Sequence, residues 1–585
     1  MSRLSVIFVT AFQFALSVIA ASDSVTSPPI VTLDYGSFQG FCSPLSTDSF
    51  LGIPFAQPPV GDLRFNKPVP PSSLGPGVNN ATSYADACPQ MPPYTPGVTF
   101  PVNPGLAGAA AYLNEFLPQP NVAASEDCLY VNVVRPAGVC AGADLPVAVV
   151  RLVFQQEIQH DIYQNTQYIY GGGFVEGYAS AYNGTGIVGR SVGLNAPIIY
   201  VSFNYRLNVF GFLGGKEVQQ AGIGNLGLHD QRMALEWVQK YISAFGGDPE
   251  KVIIWGQSAG GISVMSQIVA YDGNVNGLFR GAVLQSGSAY PLHDIASVPQ
   301  QENYDFIVAQ TNCSGANDTL CCLRQAPYEA VMNAMEQTGY VNSYQSLNLT
   351  WTPVVDGVIL KHTLRGSLSM GKYARVPAIF GDVDDEGTFN VTTSNQFMEY
   401  IQTIFLVGLN ESDINLVRKL YPDDPTQGSP FCVGMKDAIT PEYKRISAFQ
   451  GDLYFQAPRR HALSIMSTTQ NVCSYLWKRD KYTPGLGSFH ISDLQEFYNF
   501  TGTSDWVGAD AVINFAYALD PNVPQCGYPS GGVSSLLSGL NWQQWTPSCP
   551  ELLTFEDPDV LTFSNDTFRE EAVAYLNCLS DQMGL

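Results

Sequence analysis

Short apolar runs recur along the chain, separated by stretches long enough to hold a helix. Pro197–Phe203, Val252–Trp255, Gly281–Gln285, Pro377–Phe380 and Ser474–Trp477 are continuously apolar rather than alternating, the pattern of strands buried on both faces of a parallel sheet. Leu226–Phe245 and Ala259–Ala270 read as helices lying between them. Strand and helix alternating in this way predict an α/β fold built on a mostly parallel sheet. Near the N-terminus, Ile30–Gly40 and Ser49–Pro54 alternate apolar with polar residues and predict paired antiparallel strands at a sheet edge. No linker, repeat or charge run divides residues 21–585, so one large domain is expected.

Within this pattern, Val252–Trp255 runs into Gly256-Gln257-Ser258-Ala259-Gly260 and then into a helix. A serine between glycines at a strand-to-helix junction is the pattern of a nucleophile elbow. Side chains at 256 and 260 would collide with the neighbouring strand and helix, and the strained turn holds the hydroxyl toward substrate beside a helix N-terminus that favours negative charge. A serine hydroxyl is a poor nucleophile at neutral pH, so acyl transfer needs a base and a third group that orients the base. The chain has six histidines. His160 lies in an atypical segment, His229 is explained by its helix, and His293, His362 and His461 sit in no motif. His490 follows the strand Ser474–Trp477, with Gly485 and Gly487 allowing a tight path. Spacing alone does not choose the orienting acid.

Composition narrows the setting. Fifty-one acidic against 28 basic residues give a net charge of −23, which repels nucleic acid and anionic membranes. Arg3 precedes the apolar run Leu4–Ala20, and small residues at Ala20, Ala21 and Ser22 offer a cleavage point, so residues 1–20 read as a secretory signal peptide. The run is shorter than the ~20 residues a membrane anchor needs. All twelve cysteines lie beyond it, and disulfides are expected. Sequons at Asn80, Asn183, Asn312, Asn317, Asn348, Asn390, Asn410, Asn499 and Asn565 fit a secreted glycoprotein. No cysteine or histidine spacing suggests a metal, no dinucleotide fingerprint is visible, and no cofactor is expected.

Further motifs follow in order: Glu126-Asp-Cys-Leu-Tyr-Val-Asn132, Gly171-Gly-Gly-Phe174, Asn204-Tyr-Arg206, Asn225-Leu-Gly-Leu-His-Asp-Gln231, Asp385-Glu-Gly387 and Gly487-Ser-Phe-His490. With the elbow, they make the chain resemble the type-B carboxylesterases, the cholinesterase-like family of the α/β-hydrolase fold, from about Gly36 to Phe568. The fungal secreted lipases and sterol esterases are the branch it is most similar to. The resemblance implies an α/β-hydrolase sheet with long loop insertions over the active site. It makes Ser258 the nucleophile, His490 the general base and Glu386 the orienting acid, with Asp385 as a rival whose other role is loop hydrogen bonding. It makes Gly172, Gly173 and Ala259 the oxyanion-hole donors. It pairs Cys88 with Cys128 and Cys313 with Cys322, though adjacent Cys321 competes for the second bond. It makes Arg64–Glu126 and Arg206–Asp230 buried structural ion pairs.

The expected activity is secreted serine carboxylic-ester hydrolysis, and the expected partner is a small-molecule or lipid ester, with transient contact at a lipid interface. Apolar esters such as acylglycerols and sterol esters lead. Phenolic or small soluble esters come second, and a catalytically inactive adhesion module is the reading from a different class. The interval Cys88–Cys128 resembles the disulfide-bounded flap of the fungal branch. Leu106, Ala109, Ala110, Leu113, Phe116 and Leu117 within it recur at helical spacing, as either a lid or an ordinary packing helix. Gln257 stands where cholinesterases have glutamate, and no tryptophan precedes Glu126 to hold a quaternary ammonium, which disfavours choline esters.

One segment breaks the pattern. The strand Leu145–Val149 should run almost directly into the glycine triplet, yet Val150–Gln167, rich in glutamine and without clear period, stands between. Deleting it restores Val147-Ala-Val149 joined to Tyr168-Ile-Tyr170 and Gly171. Valine codons begin with GT and a glutamine codon ends in AG, so an intron translated in the gene model explains the segment; a genuine surface insertion is the alternative. Mature transcript lacking these codons is expected, as is higher esterase activity in a chain without residues 150–167. Transcript reads that carry the codons, or equal activities, would reject the respective expectation.

Overall fold

The computed structural model describes residues 27–43, 45–91, 123–143, 145–151, 171–181, 184–340, 343–388, 396–498, 505–523 and 532–584. The signal-peptide segment 1–20, the candidate helix at 106–117, and Asn183, Asn390 and Asn499 lie outside them. So do residues 152–167 of the atypical segment, including His160.

An 11-stranded sheet organises the chain, in the order Val560–Asn565, Glu551–Glu556, Val472–Trp477, Ala378–Val383, Gly281–Gln285, Gly247–Gln257, Leu145–Arg151, Ile199–Phe203, Tyr130–Pro136, Thr47–Pro54 and Phe41–Ser43. From Glu551–Glu556 to Ile199–Phe203 all neighbours are parallel, and the strands beyond pair antiparallel at both edges. Every residue of Gly281–Gln285, Ala378–Val383 and Val472–Trp477 is buried, which is why these strands are continuously apolar. With helices flanking the sheet, this is the α/β-hydrolase fold.

Several elements depart from the sequence reading for tertiary reasons, among them the strand read as Pro377–Phe380, which runs Ala378–Val383 because Val472–Trp477 pairs with it to its end. Val252–Trp255 is the centre of the longer strand Gly247–Gln257, because Gly281–Gln285 and Leu145–Arg151 supply backbone partners on its two sides. Leu226–Phe245 is an α-helix only to Tyr241; Ile242–Phe245 tightens into a 3₁₀ turn that stops at Gly246. Ile30–Leu33 and Gly36–Gln39 do pair antiparallel, but in a separate 3-stranded sheet with Val78–Asn80 rather than at the edge of the large one. The strand expected to end at Val149 continues through Val150 and Arg151, opposite Trp255 and Gly256.

Two buried ion pairs brace the loops at the sheet's edge. Arg206 donates from Nε to Asp230 Oδ2 at 2.8 Å and from Nη2 to Oδ1 at 2.7 Å, tying the segment after Ile199–Phe203 to the helix Leu226–Tyr241. Arg64 donates to Glu126 Oε2 at 2.6 Å and to the Ala326 carbonyl at 2.5 Å. The structure contains Cys88–Cys128 and Cys313–Cys322, and Cys321 is an exposed thiol. Asn80, Asn312, Asn317, Asn410 and Asn565 are exposed. Asn348 is half-buried and gives its amide to the Ile404 carbonyl at 3.0 Å, the nitrogen a glycan would need. Among the described residues no helix is long and apolar enough to cross a membrane.

Asp230→Ala strands the Arg206 guanidinium in the interior and is expected to lower stability by about 3–5 kcal/mol. Denaturant unfolding checks this, and a loss under about 1 kcal/mol, the range of an exposed pair, would remove the structural role.

Candidate active site

The sheet is parallel through its centre, so the loops leaving the C-terminal ends of its strands gather on one side. Ser258 sits between the strand Gly247–Gln257 and the helix Ala259–Gly273 with φ 53° and ψ −128°, a conformation costing about 1–3 kcal/mol in a non-glycine residue. The turn is fixed by its amide, which donates to the Gln285 carbonyl at 2.8 Å, and by its carbonyl, which accepts from Ile262 N at 2.9 Å. A β-carbon on Gly256 would strike the backbone of residues 260 and 261, so the strand and the helix approach this closely only with glycine at 256.

Ser258, His490 and Glu386 are brought together. His490 Nε2 lies 2.9 Å from Ser258 Oγ, and Nδ1 lies 2.6 Å from Glu386 Oε2. Glu386 Oε1 accepts from Val383 N at 2.8 Å. The Ser286 hydroxyl also faces the Glu386 carboxylate, without reaching hydrogen-bond geometry. Burial opposes charge on both groups, raising the Glu386 carboxyl above its usual range and holding His490 down to about 4. Loss of hydration penalises the imidazolium, and the nearby Asp493 and Asp382 carboxylates oppose that loss. Neutral imidazole with Nδ1–H toward Glu386 leaves the Nε2 lone pair facing Ser258, the form a base requires.

Gly171 lies directly over the serine: a β-carbon there would be 2.5 Å from Ser258 Cβ and 3.1 Å from Oγ. Gly172 and Gly173 both take positive φ, 78° and 58°, and the Gly172 carbonyl accepts from Val175 N and Glu176 N to close the turn. Among the described residues no acceptor takes the Gly172 or Gly173 amide, and Ala259 N, first in its helix, is one of the donors a helix leaves open. Beside the turn, burial raises the Glu176 carboxyl to about 8, with Tyr340 as its hydrogen-bond partner. Met91, three residues beyond the disulfide-bonded Cys88, donates its amide to the Val175 carbonyl of this turn at 2.8 Å.

The other described histidines stay apart from the site. Burial depresses His229 to about 3 inside its helix, His362 Nε2 meets Lys372 Nζ at 2.8 Å, and His293 and His461 are both lowered by burial. Asp385 does not face His490; its carboxylate bonds to loops. Among the described residues no cluster of histidine, cysteine or acidic side chains has metal-binding geometry. Two contacts of the base were not foreseen from the sequence. Gln257 places Nε2 3.2 Å from His490 Nε2, beside the serine hydroxyl. Asp493, beneath the imidazole, accepts from Tyr475 OH at 2.6 Å and Gln285 Nε2 at 3.0 Å.

Residues 27–508 match the carboxylesterase family model. The chain belongs to the carboxylesterase family. It is 37% identical over 548 residues to the secreted triacylglycerol lipase LIP1 of Gibberella zeae, covering 90% of this chain and 87% of that one. It is 38% identical over 537 residues to lipase 4 of Diutina rugosa, covering 90% and 91%. A protein named an inactive carboxylesterase-like protein, VdtD of Byssochlamys spectabilis, is 30% identical over 77% of this chain and 75% of its own length. The crystal structure of Aspergillus niger EstA superposes with a TM-score of 0.74 at 25% identity, covering 95% of this chain and 99% of that one. This carboxylesterase is therefore a carboxylic-ester hydrolase, in a family characterised by a Ser-His-Glu triad.

Protonated imidazole cannot act as a base, so a His490 value of about 4 predicts ester hydrolysis that persists below pH 5.5 and declines only as pH falls toward that value. Gln257→Glu sets a carboxylate beside Nε2, favours the imidazolium and should move the acid limb of kcat/KM up by about one pH unit or more. A pH profile of p-nitrophenyl ester hydrolysis reads both; a parental limb at 6.5, or no shift in the variant, would contradict them.

Proposed function

We propose that this chain is a secreted serine carboxylic-ester hydrolase acting through an acyl-enzyme on apolar esters, with acylglycerols and sterol esters as its substrate class. The observation that carries this reading is the unbroken Ser258–His490–Glu386 chain of contacts, 2.9 and 2.6 Å, beneath the Gly171–Gly173 turn.

Ser258 Oγ attacks the ester carbonyl carbon while His490 Nε2 takes its proton, and Glu386 holds the Nδ1–H tautomer and favours the imidazolium that forms. Amides of Gly172, Gly173 and Ala259 receive the charge developing on the carbonyl oxygen; one such donor is worth about 3 kcal/mol. Nε2–H then protonates the departing alcohol, and water, deprotonated by the same nitrogen, attacks the acyl-enzyme and releases the acid. An apolar substrate fits the surroundings. The Phe455 ring centre lies 4.9 Å from that of His490, and adjacent Tyr454 packs against Tyr290 and Phe405 at 5.1 and 5.7 Å. Secretion is supported by the relatives named secreted lipases, by two disulfides and by the signal-peptide pattern at 1–20. Residues 21–585 then form one catalytic domain.

The relative named inactive keeps a second reading in view, a non-catalytic module. Ser258→Ala is expected to cut turnover at least about a thousandfold while unfolding like the parent. Substantial residual turnover would show that another group is the nucleophile, and failure of an organophosphonate to label Ser258 in the parent would favour the inactive module. On p-nitrophenyl esters the palmitate should be preferred over the acetate; the reverse order assigns small soluble esters.

A further inference from the structure

The acid-bearing and base-bearing loops leave adjacent parallel strands, Ala378–Val383 and Val472–Trp477. Beyond the sheet, residues 478–489 run free of that ladder before His490 is reached, so something outside the ladder has to fix the two loops to each other. Asp385 makes that connection. Its amide donates to the Ser488 carbonyl at 3.0 Å, and its Oδ2 accepts from Ser488 N at 2.9 Å. Lys481 Nζ, from the base-bearing loop, donates at 2.6 Å to the same Oδ2 and at 2.6 Å to Asp384 Oδ2. On the other side, Asp385 Oδ1 accepts from Ser429 Oγ at 2.8 Å and Phe431 N at 2.9 Å. Two oxygens thus take four donors from two segments, the base-bearing loop and residues 429–431, which fills the carboxylate's acceptor sites. A β-carbon on Gly487 would collide with this carboxylate, so the loops meet as closely as their backbones allow.

Asp385 is fully buried, and the Lys481 side chain keeps only 13% of its surface exposed. Without the ammonium, two neighbouring carboxylates would share the interior and repel. Asp385 immediately precedes Glu386, and Ser488 stands two residues before His490, so movement at this joint is passed directly to the contact between acid and base.

We propose that Asp385, neutralised by Lys481, is a positioning residue that fixes His490 against Glu386 and thereby sets turnover without touching the ester. This rests on the assignment of Ser258, Glu386 and His490 as the triad and goes beyond it. Displacement of a reacting group by about 1 Å costs on the order of a hundredfold in rate.

The full chain, Lys481→Met and Lys481→Arg are compared on p-nitrophenyl butyrate, with kcat counted per site labelled by an organophosphonate. Lys481→Met is expected to lose about a hundredfold in kcat with KM held within about twofold, because alignment rather than substrate binding is lost. Lys481→Arg, which keeps the cation, recovers most of it. A residue that only stabilises the fold would lower the number of labelled sites and leave kcat per site unchanged. Asp385→Asn, of the same shape, carries the same split should Lys481→Met not accumulate as folded protein. A parent that turns over ester beside a Lys481→Met or Asp385→Asn variant with parental kcat per site overturns the joint alone. A parent that neither labels nor turns over removes the triad assignment, and the joint with it.

Discussion

The site depends on one constrained backbone. Ser258 is held at φ 53°, ψ −128° because its amide is tied to the Gln285 carbonyl of the neighbouring strand, while a helix starts at the next residue. A side chain in that conformation cannot relax away, so the hydroxyl has one direction to face. The cost of the strain is borne by the parallel sheet around it, whose strands on either side, Gly281–Gln285 and Leu145–Arg151, fix the strand that delivers the serine.

Around this serine the protein arranges charge by exclusion of water. His490 and Glu386 are buried together at 2.6 Å, so each depends on the other for the hydrogen bonding that solvent would otherwise supply. Beneath them, Trp255, Gln285, Tyr475 and Asp493 form a polar string inside an otherwise apolar core: Trp255 Nε1 donates to Gln285 Oε1 at 2.5 Å, and Gln285 Nε2 reaches Tyr475 and Asp493. Burial raises the Asp493 carboxyl to about 6, while the nearby His490 favours its ionised form. Ion pairs farther out, Arg206–Asp230 and Arg64–Glu126, are equally buried but serve the loops rather than the chemistry.

Legibility followed periodicity. Buried parallel strands are apolar on both faces, so Gly281–Gln285 was readable to the residue, and the elbow was readable because a strand, a glycine–serine–glycine turn and a helix occur in immediate succession. Edges were less readable. The alternation of Ile30–Gly40 identifies a half-buried hairpin but carries no information about which sheet it joins, and the short strand Val78–Asn80 that captures it has no pattern of its own. Asp385 and Glu386 are neighbours of identical charge, and only the direction each side chain takes separates a carboxylate facing His490 from one that binds Ser429, Phe431, Ser488 and Lys481.

The amino-acid order by itself determined the α/β class, the position of the elbow and the family, because each is written in local spacing or in ordered short motifs. The meeting of residues 258, 386 and 490, the contact of Gln257 with the imidazole and the joint made by Asp385 and Lys481 were decided by tertiary structure. The reason is geometric: a parallel sheet carries distant segments to a common edge, and the direction a buried side chain takes there depends on neighbours that no local pattern encodes.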